Sequence, residues 1–262
     1  MLIDDIAQSL QKLRSSKPLV LSLTNHVTMD FMANCLLSLG AAPIMSEDVN
    51  ELDELVQIVQ VLNLNIGTLN NDFLQRAISG AQFAQAASKP IILDPVGAGA
   101  TAIRTQAAQA LLPYAAIVRG NASEIMALAE LGNKTLGVEA AHQVDDAAQS
   151  ARDLARLHHC TIVVSGERDL ITDGHRLDHL AFGSALMPCV TGMGCALTAV
   201  IAAFRAVIAD SYQAARQGAA YYSLCGSLAA GKTNKPGSFR TAFIDELYAA
   251  DLQAMRSICH AD

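Results

Sequence analysis

Short apolar runs alternating with longer stretches of helical period restrict the fold of this chain more than any other feature. The runs lie at Leu19 to Leu23, Ala42 to Met45, Leu62 to Ile66, Ile91 to Leu93, Ile117 to Val118 and Thr161 to Val164. Polar or Gly residues follow each one, and then an amphipathic segment. A strand covered on both faces reads as a continuous apolar run, and a parallel neighbour requires a long crossover, so the alternation predicts an α/β protein with a largely parallel central sheet flanked by helices. Ile3, Ile6, Leu10 and Leu13 mark an opening helix. Asp173-Gly174, set between two short runs inside Asp169 to Leu180, predicts a β-hairpin. Helix formers then dominate Cys195 to Ile208, Tyr212 to Leu228 and Ala242 to Ile258, which gives a helical C-terminal part. No Pro/Ser-rich or single-charge linker interrupts the sequence, so residues 1–262 read as one domain without a separate lid domain.

Composition removes several classes of function. With 52% hydrophobic and 16% charged residues the chain can bury a large core. A formal net charge of -7 repels nucleic acid and anionic membrane. The longest apolar run, Cys195 to Phe204, is stopped by Arg205 and Asp210 and is too short to span a bilayer. Asp4 and Asp5 occupy the place where a secretory signal would be basic and then apolar, so a cytoplasmic protein is expected. Cys35, Cys160, Cys189, Cys195, Cys225 and Cys259 show no C-x-x-C or Cys/His metal spacing and are expected as thiols, mostly in the core.

Ligands of open α/β sheets bind beyond the carboxyl ends of the strands. In chain order those positions hold Asn25, Met45-Ser46-Glu47, Gly67-Thr68, Asp94-Pro95, Arg119-Gly120-Asn121 and Ser165-Gly166-Glu167. Turn chemistry explains any one of them; the whole series points to a site. Gly192-Met193-Gly194-Cys195 is a Gly-x-Gly turn opening a long apolar helix. Such a turn can aim backbone N–H groups at a phosphoryl oxygen, although the motif alone more often marks a tight turn, and the P-loop pattern is absent. Asn121-Ala122-Ser123-Glu124 has two readings of similar weight. One is a helix capping box; in the other, Glu124 and Asp94 hold Mg²⁺ through water while Arg119 meets nucleotide phosphates.

Several segments together resemble the hydroxyethylthiazole kinase family of thiamine salvage: PLVLSLTNHV, LGAAPIM, LNIGTLN, ILDPVGAGAT, VRGNASEIMAL, VVSGERDLITDGH, VTGMGCALTAV and KPGSF. They run in order from Pro18 to Phe239, and DPVGAGAT and RGNASEIMAL are the most specific. The resemblance implies a ribokinase-like fold, ATP and Mg²⁺, and a homotrimer with active sites at subunit interfaces. It also implies phosphorylation of the primary hydroxyl of 4-methyl-5-(2-hydroxyethyl)thiazole. By position, Met45 resembles a thiazole-contacting residue, with Asn25 and Gly67 on the substrate side. Arg119 and Ser165 resemble ATP-binding residues, Gly192 the substrate-side glycine of an anion hole, and Cys195 the catalytic base. The place of Cys195 at a helix N-terminus is expected to lower its thiol pKa toward neutrality. Met193 stands where the family usually has Thr, Cys189 where Lys is common, and Ser22 where His or Asn is often seen. The competing readings are another kinase of this fold acting on a pyrimidine or sugar alcohol, a Cys195-dependent acyl-transfer or hydrolytic enzyme, and a non-catalytic ligand-binding relative.

Overall fold

The computed structural model describes residues 2–130 and 144–259. Helix α1 (Leu2–Ser16) forms where the apolar spacing places it, with Ile3, Ile6, Leu10 and Leu13 as its buried stripe. Strands β1 (Leu19–Leu23), β2 (Ala42–Met45), β3 (Val61–Asn65), β4 (Ile91–Asp94), β5 (Ile117–Asn121) and β6 (Thr161–Ser165) then alternate with helices. These are α2 (Met29–Leu39), α3 (Leu52–Ile58), α4 (Asn71–Ala86), α5 (Ala102–Leu111), α6 (Ala122–Glu130) and α7 (Val144–His158). The hairpin β7 (Asp169–Thr172) and β8 (Leu177–Leu180) precedes α8 (Met193–Arg205), α9 (Ser211–Lys232), α10 (Pro236–Ala249) and α11 (Leu252–Cys259).

One eight-stranded sheet results, in the order β2-β1-β3-β4-β5-β6-β7-β8. The first six strands pair in parallel and the hairpin adds two antiparallel ones. Alternate side chains of a strand serve opposite layers: Val20, Val61 and Ile92 join the core under α1, α2, α8 and α9, whereas Leu21, Leu62 and Leu93 join the core under α3, α4 and α5. After β1 the chain crosses to β2 on one side and returns to β3 on the other. That reversal opens a crevice at the carboxyl ends of β1 and β3, the place where this architecture binds ligands. Helix α8 packs on β1, β3 and β4 and points its N-terminus into the crevice.

The structure shifts some expected boundaries. β3 starts and ends one residue earlier than the apolar run, at Val61 and Asn65, because Asn65 keeps its ladder partner Asp94 while Ile66 leaves the strand. Arg119 to Asn121 and Ser165 continue their strands as ladder partners rather than following them. The hairpin turns through residues 173–176, longer than a two-residue turn, and the expected helix from Ala242 to Ile258 is broken at Ala250, which adopts a left-handed conformation with φ 50°. Among the described residues no helix is long and apolar enough to cross a membrane.

Candidate active site

The site is assembled around the start of α8. Gly192 caps the helix with φ 93°, a conformation that L side chains avoid, and a Cβ there would lie 3.1 Å from the Thr28 side chain. The first bond of the helix runs from Ala196 N–H to Gly192 O at 2.8 Å. The N–H groups of Met193, Gly194 and Cys195 come before it and have no acceptor within the helix, which leaves them directed at the crevice. Met193 itself faces the core: it is buried, and its carbonyl accepts a 2.7 Å bond from the Tyr222 hydroxyl. A larger apolar side chain at this position is therefore absorbed by packing, and the backbone donors of the turn are retained. At Gly194 a Cβ would sit 2.6 Å from Arg119 Nη1, so only glycine lets the guanidinium lie against the turn.

A chain of amides crosses the strand ends beneath that turn. Asn25 Nδ2 donates to Asn65 Oδ1 at 2.8 Å and to Cys195 Sγ at 3.4 Å. Asn65 Nδ2 donates to Asp94 Oδ2 at 2.8 Å, and the Thr198 hydroxyl reaches the same oxygen at 2.9 Å. Arg119 Nη1 lies 3.6 Å from it, and Arg119 Nη2 donates to Ser165 Oγ. Gly67 is close packed on Asn25 and donates its N–H to Asn65 Oδ1 at 3.0 Å. Asn25, Gly67, Asp94, Arg119, Ser165 and the Gly192 to Cys195 turn thus form one connected group. Met45 stands apart at the end of edge strand β2, in register with Ser22 of β1 and half-buried.

Electrostatics distinguish the members of this group. Asp94 is fully buried and its carboxyl is pushed up to about 6 by burial, against the Arg119 charge, with Glu124 adding to the rise. Its Oδ1 has no hydrogen-bond partner, and neither does the buried Arg119 Nε. Glu124 takes the capping role: its carboxylate accepts N–H bonds from Gly97 and Asn121, each at 2.8 Å, while Asn121 Oδ1 accepts from the Glu124 N–H at 2.9 Å. The Cys195 thiol corrects the expectation of a depressed pKa. Burial first, then the Asp94 charge, raise it above the ordinary value and outweigh the donors around the sulfur. Cys189 is exposed rather than a core residue, whereas Cys35, Cys160 and Cys225 are buried as expected.

Three members were not singled out in the sequence. Asn65 and Thr198 read as interior positions of an apolar strand and an apolar helix, and Thr28, which bonds Asn25 Oδ1 through both its N–H and its hydroxyl, reads as a loop residue. The available signal was Asn65 itself, with Asn63 a polar residue inside a run otherwise apolar.

Comparison with known proteins decides the family. The Hydroxyethylthiazole kinase family matches residues 10–253. The chain belongs to this family. It is 49% identical to a hydroxyethylthiazole kinase of Chlamydia caviae over 257 residues, covering 97% of this chain and 98% of that protein. It is 42% identical to one of Desulfotalea psychrophila, covering 97% and 93% of the two chains. A solved hydroxyethylthiazole kinase structure from Pyrococcus horikoshii superposes with a TM-score of 0.89 at 33% identity, over 96% of this chain and 95% of that one. The fold alone is shared with the pyridoxal kinase of Bacillus subtilis, at a TM-score of 0.60 and 14% identity. As a member of the hydroxyethylthiazole kinase family the chain is a ribokinase-like phosphotransferase that uses ATP. At the Cys195 sulfur, a hydrogen bond is donated by the Asn25 amide.

Proposed function

We propose that the chain transfers the γ-phosphoryl group of ATP to the primary hydroxyl of 4-methyl-5-(2-hydroxyethyl)thiazole, giving the thiazole phosphate and ADP for thiamine salvage in the cytoplasm. The observation that carries this reading is the convergence of the α8 N-terminus, the Cys195 sulfur and the Asp94–Arg119 pair on one crevice. The backbone N–H groups of Met193, Gly194 and Cys195 receive the γ-phosphoryl oxygens, where the helix dipole favours negative charge. Arg119, held against Ser165, binds the nucleotide phosphates. The acceptor oxygen forms the new P–O bond, the bond from phosphorus to the β,γ-bridging oxygen breaks toward ADP, and the hydroxyl proton passes to Cys195 in its thiolate form, giving the neutral thiol. Met45, Asn25, Gly67 and Gly192 line the acceptor side. The raised thiol pKa keeps the thiolate a minor form at neutral pH, and in a loose transfer, where the proton leaves late, positioning supplies most of the rate.

The residues present fit Mg²⁺. Asp94 Oδ1 is a buried carboxylate oxygen without a protein partner, and each Glu124 oxygen keeps a lone pair beyond its backbone bond. Bound there through water, the ion would offset negative charge on the transferring phosphates. A homotrimer with sites at subunit interfaces extends the reading. It is supported by Val27, 69% exposed next to the site loop of Asn25, and by Leu37, 59% exposed on α2. ADP release measured with the thiazole alcohol, pyrimidine alcohols and sugar alcohols tests the assignment. Turnover should be largest with the thiazole alcohol, and a clear preference for another acceptor would transfer the assignment to a different kinase of the same fold.

A further inference from the structure

Two backbone donors fix the direction of each hydrogen bond between Cys195 and Asp94. Thr28 N–H bonds Asn25 Oδ1 at 3.1 Å, which makes that atom the amide oxygen and leaves Asn25 Nδ2 to donate. Gly67 N–H bonds Asn65 Oδ1 at 3.0 Å, so Asn65 accepts there and its Nδ2 must donate onward to Asp94 Oδ2. Between the two fixed points, Asn25 Nδ2 bridges Asn65 Oδ1 and Cys195 Sγ. Reversing either amide would place N–H against N–H. Asn25 is 3% exposed and Asn65 1% exposed, so water cannot repair such a fault.

The polarity has a chemical result at each end. A sulfur that faces a donor is held as an acceptor, with its negative form favoured over the position where burial alone would leave it. A carboxylate whose Oδ2 already accepts from Asn65 and Thr198 keeps Oδ1 as its free edge. We propose that Asn65 is a positioning residue for phosphoryl transfer, which through Asn25 fixes Cys195 Sγ as the proton acceptor and by its own amide sets which oxygen of Asp94 is free. This rests on the reading of Cys195 as the base. Gly67 belongs to the same device. A Cβ on it would meet Asn25 Cβ at 2.9 Å and Nδ2 at 3.0 Å, driving the bridging amide away from the sulfur.

The direct readout is the reactivity of the thiol. Iodoacetamide attacks the thiolate, so the alkylation rate of Cys195 at one fixed pH follows the support that its donors, Thr28, Asn65 and Asn25, give the negative sulfur. The rate is followed by peptide mass in the full-length wild type, Asn65→Ala and Gly67→Ala, with exposed Cys189 as the internal reference. Cys195 should react about tenfold more slowly in Asn65→Ala, the scale of one hydrogen bond to a charged acceptor, while Cys189 is unchanged. A Cys195 rate that is unchanged or faster overturns the proposal. If Asn65→Ala fails to fold, Gly67→Ala decides by the same criterion, since it leaves Asn65 in place and displaces only the bridge.

Turnover adds a second test. Asn65→Ala should lower kcat by a larger factor in the wild type than in Cys195→Ala, because part of its effect passes through the sulfur. Equal factors in the two backgrounds would show that Asn65 does not act through Cys195. Wild-type turnover by Cys195→Ala would instead sink the assignment of the base. In that event the alkylation rates still decide whether Asn65 orients the donor at the thiol.

Discussion

Each end of the sheet carries an arginine next to an aspartate, and the two sets are built in opposite ways. At the carboxyl ends of the strands, Arg119 and Asp94 meet at 3.6 Å in a buried setting, with Arg119 Nε and Asp94 Oδ1 left without partners. At the other end, Arg176 donates to both oxygens of Asp210 at 2.6 and 3.0 Å and to Asp173 at 2.7 Å, and its guanidinium lies 4.2 Å from the centre of the Tyr212 ring. Burial pushes the Asp94 carboxyl up to about 6, whereas the bonds from Arg176 hold Asp210 below the ordinary carboxylate value. The lower set is satisfied by the protein and ties the β7–β8 turn to the start of α9. The upper set keeps hydrogen-bonding capacity that the protein does not fill, at the cost of burying charge that is incompletely paired.

The largest effect should come from removing Cys195, the proposed proton acceptor beside the upper set. Cys195→Ala is expected to lower kcat about a hundredfold or more while KM for ATP changes little, in line with the contribution of a general base. Cys195→Asp places a carboxylate at the same point and should retain substantial activity. Because the wild-type thiol is raised, its base form grows as pH climbs through that raised value, so wild-type kcat/KM should rise on the alkaline side. A carboxylate is already ionised there, and Cys195→Asp should flatten this limb. A wild-type rate in Cys195→Ala, or a covalent adduct on Cys195 during turnover, would contradict the mechanism.

A smaller effect exposes the stability cost of the upper set. Asp94 has a folded pKa above its unfolded value, so the folded state holds an extra proton between about pH 4 and about pH 6 and loses stability as pH rises through that window. Asn at this position does not titrate. The stability of Asp94→Asn relative to wild type should therefore increase between about pH 5 and about pH 8, by an amount on the order of 2 kcal/mol. The same variant should lose activity. Thermal or urea unfolding of both proteins at the two pH values checks the sign, and a relative stability that falls with pH would show that Asp94 is better paired in solution than its geometry implies.

The sequence made the outer frame of this comparison legible and left its wiring out of reach. Most strand runs were visible because burial on both faces favours largely apolar residues, and Ile3, Ile6, Leu10 and Leu13 of α1 were visible because a helix on a core repeats near every third or fourth residue. Asp94, Arg119, Gly192 and Cys195 stood out as polar or glycine residues at strand and helix ends, which the structure gathers into one crevice. The Asn25–Asn65–Asp94 bonds join three different strand ends and depend on sheet register, which no local pattern encodes. The Cys195 thiol was misjudged for a related reason. A helix N-terminus can be read from Gly-Met-Gly-Cys, but the burial and the Asp94 charge that outweigh its dipole come from residues distant in sequence.

The smallest effect should follow from cutting the lower set, and its character rather than its size is the informative part. Arg176→Ala removes both bonds to Asp210, the bond to Asp173 and the stacking on Tyr212. The side chain is 45% exposed, so solvent screens these contacts and the loss should be about 1 kcal/mol or less. Asp210 also caps α9 through the Tyr212 N–H at 2.9 Å, a bond that survives the substitution and limits the damage. Since its carboxylate is depressed, the contribution of the pair is present above the unfolded carboxylate pKa and fades as pH falls toward the lowered value; the gap between Arg176→Ala and wild type should narrow in acid. KM for ATP and kcat should stay at their wild-type values. The matched substitution at the other end reverses the pattern: Arg119→Ala should raise KM for ATP about tenfold, the result expected of the proposed contact between that guanidinium and the nucleotide phosphates. Steady-state kinetics and melting curves on the two variants separate the outcomes. An Arg176→Ala enzyme with a raised KM for ATP, or an Arg119→Ala enzyme that changes only in stability, would remove the distinction between an end built for holding and an end built for binding.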